Sequence, residues 1–295
     1  MKQEYITPII KTSDPNAFTF IDLRLDFAFG LVFGTKGNED MLLKLVNAIL
    51  PNLNIESVTL SNQSQPGRRR DARSAIFDVA CTTSAGHIII IEMQYRHQDD
   101  FNDRLLFYST FPLQNSLKAG EGTYRFKPTY IVGITDFIIK DIKANDRIVN
   151  RYSSTNEDDS EIRLTDNLCY VTVELPKVKK ELDAIHSPAE LMFYTIRNIG
   201  SMNKMPDNYI GSGLEKLFEI CKFAAMDELT QADYLRAFMA DLDLRSQKRT
   251  AFKEGVEEGK TEASIKIAAS LRAHGVPVDL IVSATGLSAE QVETL

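Results

Sequence analysis

The sequence predicts an α/β fold in which a central sheet is flanked by helices and followed by an all-helical region. Apolar runs of strand length alternate with helical patterns up to about residue 176, as they do in an α/β sandwich. From Pro188 onward the apolar residues recur at helical spacing. The run Ile88–Ile91 is apolar at every position, which is typical of a strand that is covered on both faces.

The length and composition fit a soluble globular protein that has one large domain, or a main domain with an appendage. The chain has 295 residues, of which 43% are apolar and 25% are charged. We expect a core over residues 1–185 and a helical C-terminal region over residues 186–295, with a small tail from about residue 250. The net charge of -7 argues against a uniformly basic nucleic-acid coat, although it allows a local basic patch.

The cysteines and the hydropathy pattern bear on location. Cys81, Cys169 and Cys221 are the only cysteines in the sequence. Their odd number and unpaired spacing fit a reducing compartment and exclude a cysteine-based zinc site. The first residues lack the apolar core of a signal peptide, and no apolar run reaches transmembrane length. We therefore expect a cytoplasmic protein that does not enter a membrane.

Two helices are expected before the first strand. The pattern predicts one helix over residues 22–33 and a second that begins after Asn38 and ends before Pro51. Residues 55–60 are a predicted strand. The polar segment 61–71 is rich in residues that break regular structure, and it is predicted to be a mobile loop.

The remaining elements follow from the same patterns. They are a helix over residues 104–117 bent at Pro112, strands over 129–139 and 169–175, a helix after Thr230, a second helix over 249–274 and a short helix over 278–284. Gly255, Gly259 and Ala263 recur every four residues, so another helix could approach closely there. Alternatively, this segment is a solvated helix that its two glycines weaken.

Three short helices around a glycine turn end the chain and look like a helix-turn-helix. The last of them carries Glu290 and Glu293 but no arginine or lysine. A recognition helix contacts phosphates and base edges with basic or amide side chains. We therefore favour packing or self-association, and a homo-oligomer formed through the helical C-terminal region, over the reading of DNA by this tail.

The strongest functional signal is a predicted hairpin. Residues 84–86 are expected to form a three-residue loop, with the glycine at the position that requires a positive φ. Counting outward from this loop places Asp78 opposite Glu92. Directly opposed side chains lie about 4.5–5.5 Å apart, and two like charges there repel each other unless a cation neutralises them. The strand period of two places Gln94 on the same face as Glu92 and the side chain of Met93 on the other.

These residue types suit metal-assisted phosphodiester hydrolysis. Mg²⁺ binds oxygen ligands, usually one or two carboxylates with waters, and it lowers the pKa of a bound water that attacks phosphorus. Asp78 and Glu92 would supply the carboxylates, and the Met93 carbonyl would supply a third oxygen. Gln94 could orient the attacking water but has no ionisable group. The alternative is that both carboxylates are ordinary solvent-facing residues, although Glu92 ends a buried run and a carboxylate there requires a partner.

Six segments of the sequence carry a resemblance to known proteins. They are Leu25-Asp26-Phe27-Ala28-Phe29, Leu45-Val46-Asn47-Ala48-Ile49-Leu50, Phe77-Asp78-Val79-Ala80-Cys81, Ile91-Glu92-Met93-Gln94, Arg104-Leu105-Leu106-Phe107-Tyr108 and Thr285-Gly286-Leu287-Ser288. With these segments the sequence resembles the PD-(D/E)XK nuclease superfamily and, more narrowly, the Rpn family of recombination-promoting nucleases and transposases. The resemblance is strongest over residues 20–140.

The resemblance implies a restriction-endonuclease-like core with a central mixed sheet flanked by helices. It also implies cleavage of double-stranded DNA with Mg²⁺, or with Mn²⁺ in its place, and metal binding by Asp78 and Glu92. Asp26 matches an additional acidic residue near the site. Gln94 stands where many members of the superfamily have lysine, and Gly30 stands where the family usually has lysine.

The sequence also contains candidate DNA-binding residues. Arg104 matches the family, and it would hold a DNA phosphate or pair with Asp26 or Glu92. The dense basic cluster of the sequence consists of Arg68, Arg69, Arg70 and Arg73, and an exposed loop there could follow a phosphate backbone. Most charged runs are only solvated surface, which is the alternative for this cluster.

Two functional hypotheses follow. The first is a metal-dependent DNA endonuclease that acts in recombination or mobile-element transfer. The second is a DNA-binding or scaffold protein that keeps the nuclease fold with little or no cleavage.

Overall fold

The computed structural model describes residues 18–65, 75–116, 123–140, 145–178 and 181–295. Two compact units are present, Met1–Tyr234 and Leu235–Leu295. The division that we expect between a core over residues 1–185 and a helical region over residues 186–295 stays a prediction.

In the described chain up to Glu174, two α-helices precede five strands, and a third α-helix separates these from three further strands. The strands are β1 (Val58–Leu60), β2 (Ser64–Gln65), β3 (Ala75–Ile76), β4 (Val79–Thr83), β5 (Ile88–Gln94), β6 (Thr129–Thr135), β7 (Val149–Ser153) and β8 (Leu168–Glu174). The α-helices are α1 (Asp26–Phe33), α2 (Glu39–Ile49), α3 (Phe101–Asn115), α4 (Pro188–Asn198), α5 (Glu215–Ile220), α6 (Glu228–Ala273), α7 (Val278–Thr285) and α8 (Ala289–Glu293).

A six-stranded mixed sheet forms the centre of the first unit, in the order β1-β4-β5-β6-β8-β7. Strands β5, β6 and β8 are parallel to one another. Strand β4 pairs antiparallel with both β1 and β5, and β7 pairs antiparallel with β8. Strands β2 and β3 form a separate two-stranded sheet. The predicted α/β fold with a central mixed sheet flanked by helices is confirmed.

Both faces of β5 are covered, as its uninterrupted apolar run predicts. Ile89 and Ile91 are fully buried on one face, where α1 contacts the strand. On the other face Ile90 packs in a cluster with Ile131 of β6 and Leu105 of α3. Because the strand is covered on both faces, any carboxylate that it carries is removed from bulk water.

A glycine allows α3 to lie close to the sheet beside the carboxylates. Gly133 of β6 is the direct neighbour of Glu92 in the parallel register. A Cβ atom at this position would lie 2.5 Å from Cζ of Phe101 and 3.2 Å from Cδ1 of Leu105. Because Gly133 has no side chain, α3 can lie close to the sheet at this point. The distance between α3 and β5 determines which residues of β5 the side chains of α3 can contact.

Three elements differ from the sequence-based expectations. Helix α1 begins at Asp26 rather than at residue 22, because the Asp22 carboxylate accepts hydrogen bonds from the amide and Nε of Arg24 at 3.0 and 2.9 Å and holds the preceding segment in a turn. The expectation of a loop over 61–71 is wrong for Ser64–Gln65, which form β2; residues from 66 onward lie outside the described residues. Strand β7 has no counterpart among the predicted elements.

The C-terminal helices agree with the expected pattern except in one respect. The helix expected after Thr230 and the helix expected over residues 249–274 form the single helix α6. No glycine or proline stands between Glu228 and Glu254 to break it, and the two glycines further along each cost only about 1 kcal/mol. In the second unit, Ala268 of α6 packs with Ile281, Leu287 and Val292. Ser288 begins α8 with a complete capping box.

We expect Gly133→Ala to destabilise the first unit by about 1–3 kcal/mol, because the added methyl group overlaps the buried ring of Phe101. Urea denaturation would measure the change in the free energy of unfolding. Gly30→Ala is a matched control: its new Cβ would lie at an ordinary 3.5 Å from the Asp78 carbonyl oxygen, and alanine favours the helix. Equal stabilities of the two variants would contradict this account.

Candidate active site

The hairpin β4–β5 places the two carboxylates as the sequence predicts. Gly86 has a φ of 82°, and the Thr83 amide donates to the His87 carbonyl at 2.9 Å. The ladder pairs Val79 with Ile91. Extending this register by one residue places Asp78 opposite Glu92.

Asp78 is bound to the backbone of the opposite strand. Its Oδ2 accepts a hydrogen bond from the Met93 amide at 2.7 Å. The Ile88 amide and the Gln94 carbonyl bond towards β6, so the alternate residue Met93 directs its amide and its carbonyl to the opposite side of β5, where β4 lies. The Met93 carbonyl therefore lies on the side of β5 where a third oxygen ligand would be needed.

Glu92 is buried, and only one of its oxygens has a partner. The side chain is 3% exposed. Its Oε1 accepts hydrogen bonds from the Arg104 guanidinium and from the Tyr108 hydroxyl, the latter at 3.3 Å. Among the described residues, Oε2 has no hydrogen-bond partner. A buried carboxylate oxygen without a partner is costly, so this atom is a candidate cation ligand.

Arg104 joins the carboxylate to the other polar residue of β5. One Nη atom bonds Glu92, while Nη1 donates to Oε1 of Gln94 at 3.0 Å and to Oε1 of Gln98 at 3.3 Å. Its Nε donates to the Tyr108 hydroxyl at 2.8 Å. The expected pairing of Arg104 with Glu92 is thus present, and the guanidinium holds Glu92 and Gln94 in one arrangement.

Burial and neighbouring carboxylates raise the proton affinity of Asp78 and of Glu92. Burial, followed by the charges of Glu92 and Asp26, raises the pKa of Asp78 well above its usual value, although the Met93 amide and Arg104 oppose the rise. Burial raises the pKa of Glu92 to about 7; Arg104 opposes this rise and Asp26 adds to it. Asp26 therefore lies within electrostatic reach of both groups. The three carboxylates therefore interact electrostatically in one region of the site.

A second ion-pair network fixes the segment that leads to Asp26. Arg24 bonds Asp22 through two nitrogens and Asp136 through Nη1 at 3.0 Å. Its guanidinium also lies 4.7 Å from the ring centre of Tyr95. Asp136 in turn faces Arg197 at 3.3 Å. Because Tyr95 directly follows β5, the network links the start of α1 to the end of the strand that carries the carboxylates.

The structure brings Asp26, Asp78, Glu92, Met93, Gln94 and Arg104 to one end of the hairpin. Arg68, Arg69, Arg70 and Arg73 lie outside the described residues. Within the described ranges, no three histidine, cysteine or carboxylate side chains form a metal-binding cluster. A metal ion here would therefore depend on two carboxylates and a backbone carbonyl, which is within the usual range for Mg²⁺.

Sequence reasoning missed three supporting residues. Gln63 donates from Nε2 to the Asp78 carbonyl at 2.7 Å, although its segment is predicted to be a loop. Tyr108 follows Arg104 by one helical turn, so the spacing of α3 could have identified it. Gln98 contacts Arg104 from the segment before α3, and no pattern in the sequence indicates this contact.

We expect the stability of the metal-free protein to depend on Glu92 between pH 4.5 and about 7, the ordinary and the raised pKa of this group. A raised pKa means that the folded state binds the proton more tightly than the unfolded chain. The stabilising contribution is complete below pH 4.5 and is lost as the pH rises through about 7. In EDTA, the Tm of the wild type relative to that of Glu92→Gln should therefore fall across this range.

The exposed Glu157→Gln variant is the control for this pH series. Its Tm should follow that of the wild type at every pH, because residue 157 lies on the surface. If Tm plotted against pH ran parallel for Glu92→Gln and the wild type, the pKa of Glu92 would not be raised in the folded protein.

Comparison with protein families agrees with this geometry. A family model described as PD-(D/E)XK nuclease family transposase matches residues 23–251. No curated protein and no solved structure gave a significant match. No helix in the described part of the chain is long and apolar enough to cross a membrane. The matched range covers well over half of the chain and contains Asp26, Asp78 and Glu92, and the chain therefore belongs to the PD-(D/E)XK nuclease family transposases.

Proposed function

We propose that the protein is a Mg²⁺-dependent endonuclease that hydrolyses phosphodiester bonds of double-stranded DNA in recombination or mobile-element transfer. The observation that carries the proposal is the pair formed by the half-buried Asp78 and the buried Glu92, with an oxygen of Glu92 that no described residue bonds. Family membership implies nuclease-type chemistry on DNA. We further propose a cytoplasmic location and a homo-oligomer formed through the helical C-terminal region.

The residues present fit a divalent cation. Nucleases of this family generally use such ions. Asp78 and Glu92 would hold the ion with the Met93 carbonyl, and Mn²⁺ could replace Mg²⁺ because both accept oxygen ligands. The cation would oppose the rise in both carboxylate pKa values, which burial causes and neighbouring carboxylates increase. When bound, it would supply Lewis-acid activation of the phosphate and of water.

The chain's own residues would position the reactants. Gln94 would orient the attacking water by hydrogen bonds. It would not take the proton from that water, because its amide is neutral. Asp26 would add negative charge on the side of α1 and so favour the retention of a cation. Arg104 would stabilise the negative charge that develops on the phosphate, as positioned cationic groups do in phosphoryl transfer.

Arg104 compensates for the glutamine at position 94. Its guanidinium donates to Oε1 of Gln94 at 3.0 Å, so a positive charge lies beside the place where many members of the superfamily have lysine. We therefore propose that Arg104 and Gln94 together perform the work of that lysine. This role also agrees with the absence of lysine at Gly30.

One observation favours the alternative of a nuclease fold with little cleavage. Arg104 already forms an ion pair with Glu92, which partly neutralises the site without any metal. If this pair does not open or share its carboxylate, the protein would bind DNA without cutting it. The experiments below distinguish the two functions.

We expect Asp78→Asn and Glu92→Gln each to lower Mg²⁺-dependent plasmid nicking at least about a hundredfold, because each removes one charged half of the ion site. Titration calorimetry with Mn²⁺ should show a parallel loss of binding. Asp103→Asn, an exposed carboxylate on α3, serves as the control and should nick at the wild-type rate. Wild-type nicking that persists in EDTA, or in both site variants, would contradict the assignment.

We expect Arg104→Gln to lower nicking while Mn²⁺ binding is retained or strengthened, because the guanidinium no longer competes for Glu92. Adding Gln94→Lys to this variant should restore part of the activity, since lysine returns a positive charge to the hairpin. A loss of nicking together with a loss of Mn²⁺ binding, without rescue by lysine, would show that Arg104 only maintains the fold of the site.

A further inference from the structure

The charges of helix α6 are segregated around its circumference. At 100° per residue, the cations between residues 246 and 267 fall within an arc of about 140°; they are Lys248, Arg249, Lys253, Lys260 and Lys266. The carboxylates of the same segment fall within a separate arc of similar width on the opposite side; they are Glu254, Glu257, Glu258 and Glu262. We call the first arc the cationic face.

The cationic face is accessible within its own unit. All five cations are exposed. Phe252, Val256 and Ile267 lie in the same arc and are 73%, 38% and 53% exposed. Gly259, between them, has no atom within 4 Å of the position of a Cβ. The face therefore combines positive charge with apolar side chains. At Gly259 no side chain covers the backbone, so a ligand can approach the backbone closely there.

A second copy of the helix is a poor partner for this face when the same faces meet. Around the helix circumference, cationic side chains lie on either side of Phe252 and Val256. Two cationic faces in contact would therefore bring like charges together. A polyanion has the complementary charge. The chain as a whole carries a net charge of -7, which makes the concentration of cations on one face of α6 a local feature rather than a property of the surface.

We propose that the cationic face of α6 docks on the phosphate backbone of duplex DNA. Lys248 and Lys266 are separated by eighteen residues, or about 27 Å along the helix axis at 1.5 Å per residue. Duplex DNA carries one phosphate charge per about 1.7 Å of its axis, so this length matches the phosphates of about eight base pairs. The apolar side chains between the lysines would contact deoxyribose carbons, and such contacts do not depend on sequence.

The choice of DNA as the polyanion rests on the proposed function. The existence of the cationic face rests only on the sequence and exposure of α6. The candidate active site and the cationic face also lie in different compact units. Binding by α6 and cleavage at Asp78 and Glu92 can therefore be measured separately, and either can fail without the other.

The experiment is fluorescence anisotropy with a labelled duplex of about 20 base pairs, using the full chain in EDTA over a series of salt concentrations. The test variant carries K248Q, R249Q, K253Q and K260Q. The matched control carries E254Q, E257Q, E258Q and E262Q, which changes as many charges on the opposite face. Glutamine is a good helix former, so both variants should keep α6; circular dichroism verifies this.

We expect the test variant to lose at least about tenfold in affinity at low salt. The slope of log K against log salt concentration should fall by about 3–4, since each phosphate contact contributes about 0.9. The control should keep the wild-type slope and bind as tightly or more tightly. A wild type that does not bind, or equal slopes for wild type and test variant, would overturn the proposal.

Light scattering on the same proteins tests whether a second copy of the chain, rather than DNA, binds the cationic face. If the test variant loses oligomer mass while its DNA-binding slope is unchanged, the cationic face is a contact between copies and the proposal is wrong. Plasmid nicking in Mg²⁺ is recorded in parallel: a wild type that binds DNA through α6 but never nicks would refute the endonuclease and leave this inference standing.

Discussion

Two carboxylates are held side by side at the end of a buried hairpin, and the rest of the candidate site responds to the cost of removing their charge from water. Asp78 accepts a hydrogen bond from the Met93 amide, and Glu92 accepts bonds from Arg104 and Tyr108. These contacts lower the cost of the negative charge without removing it, because burial keeps both pKa values raised. Such residual strain is common where a group is kept ready for a ligand.

The helix that supplies the counter-charge depends on a feature of a neighbouring strand. Gly133 leaves the space into which the ring of Phe101 fits, and only then can α3 bring Arg104 to both Glu92 and Gln94. A glycine in β6 thus contributes to the electrostatics of a site in which it has no polar group. The geometry of the site is determined as much by packing as by the residues that carry charge.

The hairpin and its polar residues could be predicted because they depend on local rules. A glycine with positive φ fixes the loop, and the strand period then fixes the pairing of Asp78 with Glu92. The bonds of Arg104 could not be predicted from spacing, since they depend on the distance between α3 and the sheet. Strand β7 escaped prediction because Asn150 and Arg151 interrupt its apolar pattern at the edge of the sheet. The sequence pattern places a boundary between two helices before Arg249, although neither glycine nor proline interrupts residues 228–254.

The chain order of the site has a consequence for the sequence of folding events. Asp78, Glu92, Gln94, Arg104 and Tyr108 all belong to one continuous stretch that ends with α3. Contacts between residues close in sequence form sooner than distant ones, because closing a short loop costs less entropy. Strand β8 joins the sheet from a position more than fifty residues beyond α3. During synthesis, the acidic pair and its arginine can therefore meet once β6 has emerged from the ribosome and before β8 has.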